Sequence, residues 1–282
     1  MAAPTIDQAF ITKWNKDLKR DYARTMSYFR GTVRTDGEVI GNTVRFQKLG
    51  TLSMTTKSRQ GEIPVSNPTH SYVDVSMVDY YVRVLIDKLD LTALNIEVRN
   101  NYMRNMVESA NRKVDDIVIA AMDAGATVTE GDYSAAMSRN LALEVCEELD
   151  SNDVPRDGRR FCAVTPLQWA HLHTYKEFAS SDYTGPEDLP FKKQGMPIRT
   201  WLDMHWMVHT GITGRGTSQA KCYAWHMDSV GHGIKDEIQT QWDWNQPSFA
   251  WDGATALGMG VGVIDVNGIV QIRVDDTKAL PA

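Results

Sequence analysis

Cysteine is scarce in this chain of 282 residues. Cys146, Cys162 and Cys222 stand far apart and form no CxxC pair. That excludes a disulfide framework and points to a reducing compartment. Long apolar runs are also missing. Nowhere do roughly 18 apolar residues follow one another, so no membrane-spanning helix is expected. The opening stretch MAAPTIDQAFITKWNKDLKR has no apolar core of the kind a secretory signal carries, so folding in the cytoplasm is the expectation. No glycine-rich phosphate loop is present: GITGRGTS lacks both the lysine and the strand-to-helix setting. No GxSxG motif, internal repeat or low-complexity tract occurs. An excess of positive charge is lacking too. The net charge is −6 and the pI about 5.6, which argues against a chain that coats nucleic acid over its whole surface but leaves room for a local basic patch.

What is present describes a globular α+β protein. Hydrophobic residues make up 42% and charged residues 23%, enough for a real core in one large or two modest domains. Over residues 7–29, Phe10, Trp14, Leu18, Tyr22, Met26 and Phe29 recur at three- or four-residue steps, with Lys13, Lys16, Lys19, Arg20 and Arg24 around them. This predicts an amphipathic helix ended at Gly31. The segment reads either as a solvated basic helix or as an arm lying on a neighbour.

Residues 32–87 read as a long hairpin. NTVRFQKLGTLSMTTK is the outgoing strand, broken at Gly50. KSRQGEIPVSNPTH is a polar, proline-marked tip, and SYVDVSMVDYYVRVLID is one long returning strand. The apolar parity slips between Met77 and Val78, which predicts a β-bulge. Arms of this length span roughly 50 Å. A lone hairpin is marginal in water and its edges invite pairing, so other copies of the chain are expected to cover it.

A spine helix is predicted from an N-cap at Asn95 to about Asp123, with Val98, Tyr102, Met106, Ala110, Val114, Ile117 and Ala121 as its apolar stripe. Its first half is charged and its second half is nearly all apolar, as suits a rod that joins an exposed periphery to a buried centre. Beyond Gly125, helices and strands alternate. YSAAMSRNLALEVCEELDSNDVP and PLQWAHLHTYKEF are predicted helices, the second with Pro166 in its first turn. RRFCAVTP, IRTWLDMHWMVHTG and KCYAWHMDSV are predicted strands. MGVGVIDVNGIVQIRV is a predicted hairpin turning at Asn267-Gly268.

The order of these parts resembles the major capsid protein of tailed bacteriophages. The resemblance rests on the basic arm, the bent hairpin, Ile86 to Asp90 (IDKLD), the helix stretch RKVDDIVIAA, then VPRDGRRFCAVTPLQWAHL and the closing MGVGVIDVNGIVQI. It implies the tailed-phage capsid fold, with an N-terminal arm (1–30), an extended loop (31–87), a peripheral domain (88–125 and 240–282) and an axial domain (126–239). It implies self-assembly through hexamers and pentamers into an icosahedral head around double-stranded DNA, and it implies no enzyme and no cofactor. A separate scaffolding protein, or an already processed chain, is expected because about 30 residues precede the hairpin. A portal and decoration or tail proteins are further implied partners, and DNA would face the inner surface without sequence specificity. The virion is the implied location, after assembly in the bacterial host cytoplasm. A nanocompartment shell of the encapsulin kind shares the fold and is the alternative; a metal-dependent hydrolase is a more distant one.

Subunit contacts are expected at Phe10, Trp14, Leu18 and Tyr22 of the arm, Lys57, Arg59, Glu62 and Pro64 of the tip, and Arg99 and Arg112 of the spine. Seven histidines raise a metal site, but no Glu follows the first His of HWMVH. On a single strand, His205 and His209 share a face about 13 Å apart, so hydrogen-bonded histidines are the expectation. The tryptophans between Trp201 and Trp251, with Trp242 and Trp244 on one face, are expected to pack rather than bind sugars or bases. Asp115 is expected to pair with Arg112, since adjacent Asp115 and Asp116 diverge on a helix. A Lys–Asn cross-link of the kind some shells in the family use would involve Lys48, Lys57 and Asn267. No local carboxylate or dry site marks it.

Overall fold

The computed structural model describes residues 23–35, 37–89, 98–179 and 198–281. Two compact units emerge. One is assembled from Val78–Val114 and Ile234–Met259 with the described residues up to Ser27; the other comprises Tyr28–Met77, Asp115–Gly233 and Gly260–Ala282.

The second unit contains a six-stranded mixed sheet. Its strands are β5 (Val128–Glu130), β6 (Arg160–Val164), β7 (Ile198–Trp201), β8 (Met204–Val208), β9 (Ala220–His226) and β12 (Ile269–Val274), in the order β5-β12-β9-β6-β8-β7. Ile269 to Ile272 of β12 are all buried, as expected of a central strand covered on both faces. Helix α2 (Arg139–Ser151) contributes Ala142, Val145, Cys146 and Leu149 to the core. Its N-cap is Ser138, whose side chain accepts from the Leu141 N–H at 3.1 Å. Trp206, Trp225, Tyr223 and Phe178 fill the centre and are fully buried, so packing is what those tryptophans do.

Several predicted elements are divided. IRTWLDMHWMVHTG forms the antiparallel pair β7–β8, turned by Leu202 and Asp203 at φ 54° and 56°. His209 lies just past β8, so it and His205 do not share a strand. PLQWAHLHTYKEF forms α3 (Pro166–Leu172), capped by Thr165, and α4 (Lys176–Ala179). The C-terminal hairpin does not form. Asn267-Gly268 sits in a short 3-10 turn capped by Asp265, and the strands on either side join different sheets. Val270, Ile272 and Val274 pair with β9 instead.

The predicted long returning strand is also two strands in two sheets. β3 (His70–Ser76) pairs with β2 (Thr43–Leu49), which also carries the short β1 (Glu38–Ile40). β4 (Val78–Asp87) instead pairs with β11 (Ala250–Val263), over Ala250↔Asp87 to Met259↔Val78. The parity slip at Met77–Val78 is therefore a change of sheet and not a bulge. The Met77 N–H donates to the Asn42 carbonyl at 2.9 Å, and the Asn42 side chain donates to the Met77 carbonyl. The paired part of the hairpin is seven residues long, shorter than the predicted arms.

The first unit holds the three-stranded sheet β10-β11-β4, with β10 covering Val230–Asn245, apart from residues 230–233 of β10 and 260–263 of β11, which belong to the second unit. The spine helix, α1, runs Val98–Gly125 and crosses from one unit to the other at Val114–Asp115. Asn95 lies outside the described residues. The buried positions of α1 are Met106, Val114, Asp115, Val118, Ile119 and Met122; Ile117 and Ala121 of the predicted stripe are half-buried.

Of the predicted helix 7–29, residues 7–22 lie outside the described residues, and 23–29 are not helical. Asp115 supplies the reason. Its carboxylate accepts from the backbone N–H groups of Tyr28 and Phe29, at 3.1 and 3.2 Å. A helix through this point would need those donors for itself. Phe29 consequently enters the core while Met26 is exposed.

Candidate assembly surfaces

The β2–β3 arm has a root and a tip of opposite character. At the root, Val44, Phe46, Val75, Met77 and Ile264 form a small buried cluster. Gly231 and Gly233 of β10 let the backbone approach it: a Cβ at Gly233 would stand 2.1 Å from Val44, and one at Gly231 2.6 Å from Phe46. Arg45 and Asp74, directly opposite in register, join through two hydrogen bonds of 2.7 and 2.8 Å, and the guanidinium lies 4.1 Å from the Tyr72 ring centroid. Lys48 reaches Asp265 at 2.6 Å. Lys48 therefore has a carboxylate partner that sequence spacing did not reveal.

Pairing ends where the Gly50 N–H donates to the Thr69 carbonyl. Residues 51–68 are exposed except for half-buried Gly61 and Pro68. Lys57, Arg59, Glu62 and Pro64 all lie on this stretch. The tip is not merely polar, as its sequence was read. Leu52, Met54, Ile63 and Val65 are exposed too, Met54 at 103% of its reference area. The signal was available, for Leu52 and Met54, like Ile63 and Val65, stand two apart, the spacing of one face of an extended chain.

The remaining expected contact residues fare differently. Phe10, Trp14, Leu18, Tyr22 and the Arg99 side chain lie outside what is described. Arg112 is half-buried and donates to the Arg24 carbonyl at 3.1 Å, next to Asn111, which donates to that of Thr25.

Asp115 was misjudged from sequence. It is fully buried, and Nε2 of the equally buried His209 lies 3.1 Å from its Oδ2. The Gly211 N–H donates to His209 Nδ1, so Nε2 carries the proton and points it at the carboxylate. With Tyr28 and Phe29, this anchors the chain entering from the N-terminal segment. Nearby, Trp225 Nε1 donates to the Thr32 carbonyl and the Arg34 N–H to that of Val230.

Other histidines have structural partners. His205 meets Thr200 and the Gly158 carbonyl, His226 meets Asp157, and His171 meets the Lys278 carbonyl. Among the described residues, no group of three or more His, Cys, Asp or Glu is placed to hold a metal ion. Burial raises the thiols of Cys162 and Cys222, the latter to about 12, which keeps both protonated and poorly nucleophilic. No helix of the described residues is long and apolar enough to cross a membrane.

A sequence profile of the phage capsid protein family matches residues 6–276. No curated protein matches the chain. Solved structures similar to it include the capsid of the cyanophage P-SCSP1u (TM-score 0.74, 13% identity, 95% of this chain and 92% of that one). A chain from Mycobacterium phage Che8 gives 0.72 at 17% identity over 92% and 95%. The capsid of Ralstonia phage GP4 gives 0.70 at 13% over 95% and 96%. At such identities the structures speak for the shared fold. With a family profile spanning nearly its whole length, the chain belongs to the phage capsid protein family, as a structural shell subunit and not an enzyme.

Proposed function

We propose that this subunit builds the icosahedral head of a tailed bacteriophage, as hexamers and pentamers around double-stranded DNA. The observation that carries the reading is the stretch 51–68, whose residues are exposed apart from half-buried Gly61 and Pro68. It extends from a root held by its own small core. A closed shell requires one surface of a subunit to meet a different surface of the next. A tip that stays out of the subunit's own core and leaves apolar side chains in water is such a surface.

In this reading residues 1–30 act as the N-terminal arm and 31–87 as the extended loop. Residues 88–125 with 240–282 form the peripheral domain, and 126–239 the axial domain. Scaffolding, portal and decoration or tail proteins are the expected further partners. The virion is the expected location, after assembly in the host cytoplasm. The protein-filled nanocompartment and the metal-dependent hydrolase have no observation in their favour.

The test is expression of the chain followed by electron microscopy, with and without replacement of residues 51–68 by Asn-Gly. The intact chain is expected to form closed shells. The shortened chain is expected to keep native circular dichroism and remain as monomers or capsomers. Normal shells from the shortened chain would refute the role of the arm, and shells that hold only protein cargo would refute the head.

A further inference from the structure

Within the first unit, a half-open pocket of about 180 Å³ lies between α1 and the strands β4 and β11. Its origin is a short side chain. Met106 and Val114, one helical turn to either side of Ala110, are buried. Residues four apart share a helix face, so position 110 belongs to the same buried row, and alanine leaves it unfilled. Val82 and buried Leu257 line the pocket from the sheet, Ser109 and Ala110 from the helix, and Tyr80 from the edge strand. Exposed Lys113 stands at the mouth, its ammonium 4.9 Å from the Tyr80 ring centroid. Lys113 is the one charged residue lining the pocket, and no carboxylate lines it to pair with that ammonium.

We infer that this pocket binds an aromatic carboxylate about the size of phenylacetate. Size and chemistry both lead there. A dry cavity of about 150 Å³ takes up benzene, so one ring fits the space that Ala110 leaves. The ring meets apolar walls and the Tyr80 ring, a contact aromatic pairs favour. A carboxylate carried one carbon further out reaches the mouth. There the Lys113 ammonium supplies a charge-assisted hydrogen bond, and the Ser109 hydroxyl offers a second donor. The anion stays partly in water at the mouth, so its desolvation cost is small. An amine of the same shape would bring a second cation to Lys113, and a neutral amide would forgo the ion pair. The site lies wholly in one subunit and does not depend on shell assembly.

The experiment titrates phenylacetate, phenylacetamide and 2-phenylethylamine onto the intact chain, followed by saturation-transfer NMR and thermal melting. Phenylacetate is expected to bind with a dissociation constant of about a millimolar and to raise the melting temperature by binding the folded state. The amide and the amine are expected to bind at least about fivefold more weakly. Ala110→Leu fills the pocket and should weaken phenylacetate about tenfold or more. Lys113→Gln, on the exposed rim, should weaken it severalfold and erase its advantage over the amide. Absence of phenylacetate binding, equal binding of all three compounds, or an affinity unchanged in either variant overturns the proposal. An added side chain can overpack position 110 and unfold the protein; Lys113→Gln then decides the question alone.

Discussion

The six-stranded sheet and the β2–β3 arm are made of similar strand-forming residues, yet they resolve their exposed edges in different ways. In the sheet, β12, β9, β6 and β8 each have a neighbour on both sides, and the two edge strands are only three and four residues long. In the arm, seven paired residues lead to a tip that is largely open to water. Short edges protect a subunit that must stay soluble before assembly. On the function proposed above, the working form covers this tip, so stability would reside in one region and assembly in the other, and substitutions should separate the two.

The largest loss of subunit stability is expected in the sheet. Trp225→Ala removes a fully buried ring packed on Phe29 and the bond to the Thr32 carbonyl. It should cost about 3–5 kcal/mol in denaturant unfolding. Asp115→Ala comes next. It leaves the Tyr28 and Phe29 N–H groups and the His209 ring without their buried acceptor, a loss of about 3 kcal/mol. Hydrogen exchange at Tyr28 and Phe29 should accelerate together.

A third expectation concerns pH. Burial, with Arg30 nearby, lowers the pKa of His232 to about 4, and neither ring nitrogen has a hydrogen-bond partner. Between about pH 6.5 and pH 4 the unfolded chain binds a proton that the folded chain refuses. Stability should therefore fall as pH falls through that window, by about 2–3 kcal/mol. His232→Leu should flatten this limb of the profile.

Asp150 acts lower on the scale and more weakly. Hydrogen bonds from Arg156 and Arg160 hold its pKa at about 2. Its contribution is complete above the unfolded value near 4 and is lost as pH drops towards 2. Asp150 is about a third exposed, and solvent screening limits the effect to about 1 kcal/mol. Asp150→Asn should remove that acid-limb slope.

The smallest effect on the subunit belongs to the tip. Met54→Ser with Val65→Ser should leave the melting temperature unchanged, since both side chains are already in water, while shell yield drops. A fall in melting temperature would place the tip in the subunit's own fold and dissolve the contrast between the two regions.

The sequence by itself determined the local elements whose causes are local. The 3.6-residue pattern and apolar second half of α1, the end of α2 near Asn152, Pro166 at the start of α3 and the short apolar strand β6 were all readable because propensity, capping and burial agree there. The family resemblance was readable in the order of the parts. Only the tertiary structure decided the partners. A slip of parity at Met77–Val78 is compatible with a bulge or with a change of sheet, and the pairing of β4 with β11 across a separation of more than 160 residues chose the second. Asn267-Gly268 has the composition of a hairpin turn, but β12 found better burial between β5 and β9. Asp115 looked like a surface ion-pair residue three positions from Arg112. It is buried because distant backbone N–H groups and His209 converge on it. Periodicity records which face of an element is apolar; which surface covers that face is set by contacts distant in sequence.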